Sequence, residues 1–450
     1  MTSEQKYDLL VNQDVKKAIC KMAVPTIISM LITSLYNMAD SFFVSSLGSG
    51  AIGAVGVVFS MMAIIQACGF FFGHGSGNYI SRKLGNKELD DAKQMAATGF
   101  YTSFIFGLII MILGMLFLTP FSRFLGADEI ILPYAKIYLT YVLIGAPFMC
   151  ATLVINNQLR FQGNALYGMI GMCAGSILNI FLDWILVPYI GMHGAGLATL
   201  VSQILSFILL RIIVNKISDV KIHLKNFTLS KHLYFHIING GAPSLLRQSI
   251  GSVATILLNN VCKQYGTDVV ASMSVVTRIT NLPFSIVIGL GQGYQPVCGY
   301  NYGAKKYDRV IKGFYFTMFL SLIILASLSL LCVVFAEQFI SLFTKQSDKI
   351  VNLELFMEIG VLTLKVHCIC LPLMAINGTS SMLLQTMGKS IKASILAISR
   401  QGLFFIPTLF ILSKTLNGIK YIQPCSDILT LIVTLIITIP TIRSLIKSQK

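Results

Sequence analysis

Apolar runs near 20 residues long follow one another from about residue 16 almost to the carboxyl end, parted by short polar loops. About 20 apolar residues is the length a helix needs to cross the hydrocarbon core of a bilayer. No other feature narrows the fold as far. In lipid every backbone N–H and C=O must be bonded internally, which leaves helices and closed barrels. The apolar residues run on without alternating, so a barrel is disfavoured. The chain therefore reads as all-α: a polytopic membrane protein with twelve transmembrane helices, at about 16–46, 52–80, 93–118, 131–154, 164–188, 192–216, 234–262, 268–298, 309–335, 356–384, 391–414 and 418–443. Composition agrees, with 12% of the 450 residues charged against about 25% in soluble proteins. The polar amino-terminal stretch lacks an apolar core before a small-residue cleavage site, so the first span is expected to insert and stay.

A net charge of +16 raises the question of nucleic acid. The distribution answers it. With span-edge residues counted in the adjoining loop, the amino terminus, every second loop and the carboxyl terminus hold 23 of the 34 Lys and Arg. The opposite loops hold 7, and 4 lie within spans (Arg247, Arg278, Lys365 and Arg400). This is the positive-inside pattern, with both termini cytoplasmic in a multi-pass cell-membrane protein. The expected partners are membrane lipids and small amphipathic molecules, not nucleic acid, and the chain is expected to act as a monomer. The ten cysteines are scattered. His367, Cys368 and Cys370 form the one tempting metal cluster, but neighbouring helical residues point in different directions, so packing is the simpler reading.

The chain overlays on itself at a shift of 218. Pro25 meets Pro243, Gly48 meets Gly266, Gly73 meets Gly291, Gly75 meets Gly293, Gly85 meets Gly303, and Lys87 meets Lys305. Further on the shift is 225, pairing Pro147 with Pro372 and Gly163 with Gly388. Two six-helix bundles follow, 1–217 and 218–450, joined by the basic loop from about Lys216 to His232. An even number of spans per half gives both the same orientation and a pseudo-twofold axis along the membrane normal. Two such bundles enclose a cleft, and rocking them exposes it to each side in turn, the logic of a secondary transporter.

Two acids lie deep in spans, Asp40 and Asp183. A carboxylate there costs about 2.5–3.5 kcal/mol on insertion scales and is a functional candidate by default. Tyr36 and Asn37 precede Asp40 by four and three positions, and Asn179 precedes Asp183 by four. Such spacings share a helical face. Asn156, Asn157 and Thr199 are further polar groups of the same half. Neutral oxygens around two carboxylates suit a shared proton or a small hard cation, so H+ or Na+ at Asp40, Asn179 and Asp183 is expected as coupling ion, with no other cofactor. Asp427 and Glu358 sit nearer span ends, where they are expected to reach water. The second half carries Leu258 and Thr408 opposite Asp40 and Asp183, and holds Arg278, Lys365 and Arg400 as its cavity candidates. Pro25, Pro147, Pro243, Pro283, Pro296, Pro372 and Pro407 fall in or beside spans, where each bends a helix or serves as a hinge.

Four segments resemble the multidrug and toxic compound extrusion (MATE) family, in its branch of bacterial multidrug exporters. They are YNMADSFFVSSLG (36–48), GNYISRKLGNKELDDA (77–92), ILNIFLDWILVP (177–188) with GMHGAGLAT (191–199), and GLGQGYQPVCGYNYGAKK (289–306). The resemblance implies twelve helices in two bundles with a V-shaped opening. It also implies export of bulky, mostly cationic drugs in exchange for inward-moving H+ or Na+. It assigns coupling to Asp40, Asn179 and Asp183, with Asn156 and Thr199 as supporting groups. An alternative on a related two-bundle fold is a flippase for a lipid-linked or anionic precursor, to which the second-half cations lend support. A membrane-embedded enzyme would need a convergent nucleophile and base or a metal set, and the sequence offers none. There is no GxxxxGK[ST] phosphate loop to point to ATP as power source.

Overall fold

A computed structural model of the chain describes residues 2–344 and 352–449. Twelve long helical segments follow in order: α1 Val15–Ser45, α2 Ser49–Gly85, α3 Leu89–Leu116, α4 Leu132–Phe161, α5 Ala165–Ile190, α6 Met192–Ile217, α7 Lys231–Cys262, α8 Thr267–Gly303, α9 Tyr307–Val334, α10 in two limbs Leu353–Cys370 and Leu373–Thr386, α11 Ser390–Leu412, and α12 Ile422–Lys447. Among the described residues ten helices are long and apolar enough to cross a bilayer, and the broken α10 makes an eleventh. The remaining one, α7, has 32 residues, but Asn239, Arg247 and Gln248 dilute it. It lies packed along α2 and α11 instead of facing lipid all round.

Backbone conformation repeats with the sequence. Gly163 and Gly388, just past the ends of α4 and α10, take φ of 79° and 77°. Lys87 and Lys305 take φ of 63° and 58°, although a side chain in the left-handed region costs about 1–2 kcal/mol. Both halves make the same strained turn at positions 218 apart. A short helix follows the third span of each half, Leu118–Phe124 and Ala336–Thr344.

Several elements depart from the sequence-derived bounds. The helices α2 and α8 have 37 residues each, about 55 Å at the helical rise, and so project beyond the bilayer. The helix α4 runs seven residues past residue 154 and carries Arg160 with it. The limbs of α10 meet at 52°. Pro372 sits at the break, where its ring and missing N–H prevent continuation. Its repeat partner Pro147 lies inside an unbroken α4. In α11 the residues Ser399–Leu403 form a π-helical turn. The polar amino terminus is ordered as well. Leu9, Leu10 and Val11 are buried, Lys6 pairs with Asp219 at 2.8 Å, and Asn301 donates to the Leu10 carbonyl at 2.8 Å.

The first bundle packs α1 on α5, α2 on α3 and α4, and α6 on α4 and α5; the second packs α8 on α9 and α10, α7 on α11, and α10 on α11 and α12. The bundles meet chiefly through α1 against α8 and, by the pseudo-twofold, α2 against α7. Glycines allow the approach. A Cβ on Gly85 would collide with the Tyr300 carbonyl, and a Cβ on its partner Gly303 would collide with the Arg82 carbonyl. These close contacts lie at the end of the molecule that carries the amino-terminal segment.

Candidate functional site

Four helices of the first bundle bring their polar groups together near the other end. Tyr36 and Asp40 come from α1, Tyr138 from α4, Asn179 and Asp183 from α5, and Thr199 from α6. Asp40 and Asp183 are 1% and 0% exposed, so neither meets lipid or bulk water. The Tyr138 hydroxyl donates to Oδ2 of Asp40 at 2.8 Å and lies 3.3 Å from Oγ1 of Thr199. The Asn179 amide, oriented by its neighbours, donates its NH2 to Oδ2 of Asp183 at 2.9 Å and accepts from the Thr199 N–H at 3.3 Å. Tyr36 is buried beside the two acids and Thr199.

The second oxygen of each acid, Oδ1 of Asp40 and of Asp183, is buried without a hydrogen-bond partner. Among the described residues no Lys, Arg or His pairs with either acid. A buried carboxylate with neither counter-ion nor full hydrogen bonding is held at high cost. A bound proton or cation removes that cost, and the free oxygens are where it would attach.

Of the predicted groups, Tyr36, Asp40, Asn179, Asp183 and Thr199 meet. Asn37 shares α1 but is only half-buried, with its side-chain oxygen Oδ1 unpartnered. Asn156 and Asn157 do not join. They lie 18 and 19 residues beyond Tyr138 on α4, about 27 Å along the helix. Tyr138 is the α4 residue at the site, and sequence reasoning missed it because a tyrosine in an apolar run reads as core.

Asn157 belongs to a second cluster, at the end where the bundles touch. Arg160 is 4% exposed. Its guanidinium donates to Gln292 at 2.5 Å, Asn157 at 2.8 Å and Gln295 at 3.3 Å, and contacts Nε2 of His74 at 3.2 Å. Gln385 donates to Ser244 at 2.8 Å, and Ser244 contacts Nδ1 of His74 at 3.2 Å. A cation of the first bundle is thus bonded to neutral acceptors on α8 of the second. The apolar run ends near 154 and so assigns Arg160 to a loop, but the helix continues to Phe161 and carries it inside the protein.

The second bundle holds a cavity of ≈ 380 Å³ between α7, α8, α10 and α11. Arg247 and Arg400 both line it. Arg278 is exposed and Lys365 half-buried, and neither lines it; Thr277 does, and the step of about 100° per residue turns Arg278 away. Arg400 sits on the π-helical turn of α11, and its Nε donates to Oδ1 of Asp427 at 2.8 Å. Asp427 is 4% exposed, so it does not reach water as its place near a span end suggested. Glu358 is exposed on the surface of the first limb of α10.

Two membrane bundles related by a pseudo-twofold, a buried acid pair in one and a cavity in the other define a secondary-transporter architecture. The MatE family model matches residues 25–185 and again 243–411, once per half. The chain belongs to the MatE family, whose members are transporters, and it is not an enzyme. A multidrug export protein MepA from Staphylococcus saprophyticus subsp. saprophyticus is 29% identical over 419 residues, covering 92% of this chain and 90% of that protein. A MATE transporter crystallised in complex with MaL6 superposes with a TM-score of 0.92 at 28% identity, covering 98% of this chain and 99% of that one. An outward-facing multidrug resistance MATE transporter of the MOP superfamily gives 0.91 at 27% identity, covering 98% of each chain.

Proposed function

We propose that the protein exports bulky amphipathic compounds across the cell membrane in exchange for inward-moving H+ or Na+, with Asp40 and Asp183 as the coupling pair and Asn179, Tyr138 and Thr199 as their supports. One observation carries the reading: two fully buried carboxylates belong to one polar cluster with Tyr138 and Thr199, lack any basic partner among the described residues, and keep one oxygen each unbonded. The name of the staphylococcal relative, a multidrug export protein, supports the direction and the cargo.

The coupling ion must favour one conformation over the other to drive exchange. Neutralising the pair removes the penalty of two buried charges and lets α1 and α5 repack. That bias passes to the cleft through the first bundle. One elementary charge moving inward is worth about 2.3 kcal/mol per 100 mV. Asn179 can turn its NH2 to a bare carboxylate or its carbonyl oxygen to a bound cation, so it serves either H+ or Na+. With both termini cytoplasmic, the touching end of the bundles is the cytoplasmic end, and this conformation opens outward. The flippase alternative needs a ring of cations. The cavity has two arginines, and Asp427 already neutralises one.

The test is dye transport in vesicles under an imposed pH or sodium gradient, with Asp40→Asn and Asp183→Asn beside wild type. Each substitution is expected to slow gradient-driven transport by roughly tenfold or more, the scale of a lost coupling free energy. Wild-type rates for both variants under both gradients overturn the proposal.

A further inference from the structure

The cavity of the second bundle is not suited to a simple cation. Its lining includes no acid, yet it includes Arg247. Among the described residues Arg247 makes no ion pair. Arg400 differs, being tied to Asp427 and lying over the Phe284 ring at 5.8 Å. Three features stand side by side: an unneutralised guanidinium, an apolar wall of Phe284, Met374 and Met382, and a volume of ≈ 380 Å³. Cavities of about 300–1,000 Å³ take drug-sized ligands.

We propose that this cavity is a substrate subsite for amphiphiles bearing an anionic group, carboxylate or sulfonate, which Arg247 binds through its planar fork while the apolar wall takes the ring system. An unpaired guanidinium in a semi-apolar cleft lacks what a carboxylate supplies, two parallel charge-assisted hydrogen bonds. Ser381 adds a buried hydroxyl without a partner. The cargo is thereby zwitterionic or anionic, not mostly cationic as the family resemblance implies.

The position of Arg247 extends the argument. It lies one turn after Ser244 on α7 and close enough to His74 to act on it electrostatically. Ser244 and His74 belong to the cluster that joins the bundles. The cavity floor is therefore continuous with the closed end, and an anion at Arg247 sits against the contacts that must part for export. The inference rests on the export reading for the direction of transport. The binding it predicts does not depend on any gradient.

The experiment measures binding of three dansyl probes to the full chain in nanodiscs by fluorescence: dansylglycine, its methyl ester, and dansylcadaverine. They share one ring system and carry negative, neutral and positive charge. Dansylglycine is expected to bind about tenfold or more tighter than the other two, the usual range for a charge-assisted pair. Arg247→Gln abolishes that preference while leaving ester binding unchanged. Arg247→Lys keeps part of it, because a point charge remains without the fork. Equal binding of acid and ester by wild type overturns the proposal, and that comparison needs no variant to fold. A preference that survives Arg247→Gln overturns it too. If the preference appears but Asp40→Asn transports normally, the coupling reading falls and the subsite stands.

Discussion

The Tyr138 hydroxyl donates to Asp40 at 2.8 Å across 98 positions of sequence, joining α4 to α1 inside the first bundle. It is the one hydrogen bond Asp40 receives from another helix among the described residues. Tyr138→Phe leaves the ring in place and both carboxylate oxygens bare. An unsatisfied buried acceptor costs about 1–3 kcal/mol, so the midpoint of thermal unfolding is expected to fall while gradient-driven transport weakens. Unchanged unfolding and unchanged transport together exclude a role for this bond.

The contact of Gly85 with Tyr300 and of Gly303 with Arg82 is backbone against backbone, so no side chain can turn aside to admit a methyl group. Gly85→Ala and Gly303→Ala should each force α2 and α8 apart at the touching end, at about 1–3 kcal/mol. Because the two sites are related by the pseudo-twofold, their effects should match. The readout is the rate at which a permeable maleimide labels Cys298, fully buried near this contact, in a background with the other nine cysteines replaced. Labelling is expected to speed up in both variants; protection equal to wild type in either contradicts the close approach.

Strain at the two lysine turns makes a prediction of opposite sign. Lys305 has φ of 58° and an exposed side chain. Lys305→Gly should stabilise the protein by about 0.5–1 kcal/mol, the left-handed penalty less the extra freedom glycine gains when unfolded. Lys87→Gly should gain less, because Lys87 also sits over the Tyr7 ring at 5.1 Å. A loss of stability at Lys305 is the result that refutes this account.

In the Arg400–Asp427 pair the carboxylate is buried and the guanidinium partly so, at 3% and 17% side-chain exposure. Removing one partner of a buried pair strands the other, at about 3–5 kcal/mol. Asp427→Asn should therefore lower thermal stability strongly. Arg400→Met combined with Asp427→Leu should restore most of it. Equal loss in the single and double variants excludes the ion pair as the cause.

The sequence carries the membrane fold openly. Apolar runs of bilayer length, the shift of 218 and the turn residues Gly163, Gly388, Lys87 and Lys305 are local or strictly periodic, and the chain folds as they indicate. It also exposes Asp40, Asn179 and Asp183, because a carboxylate in an apolar helix is conspicuous and its helical neighbours share its face. What it conceals is which faces of different helices meet. Asn156 and Asn157 were as polar as Tyr138, yet the pitch of α4 carries them to the other end. Arg160 lies beyond the apolar run, yet helix and protein continue around it. Arg278 and Arg247 look alike in sequence, and only the packing of α7 and α8 turns one outward and the other into the cavity. Span length and turn chemistry are fixed within a few residues of chain. The company a buried polar group keeps is fixed by the crossing of helices far apart in sequence, and that is decided only when the bundles pack.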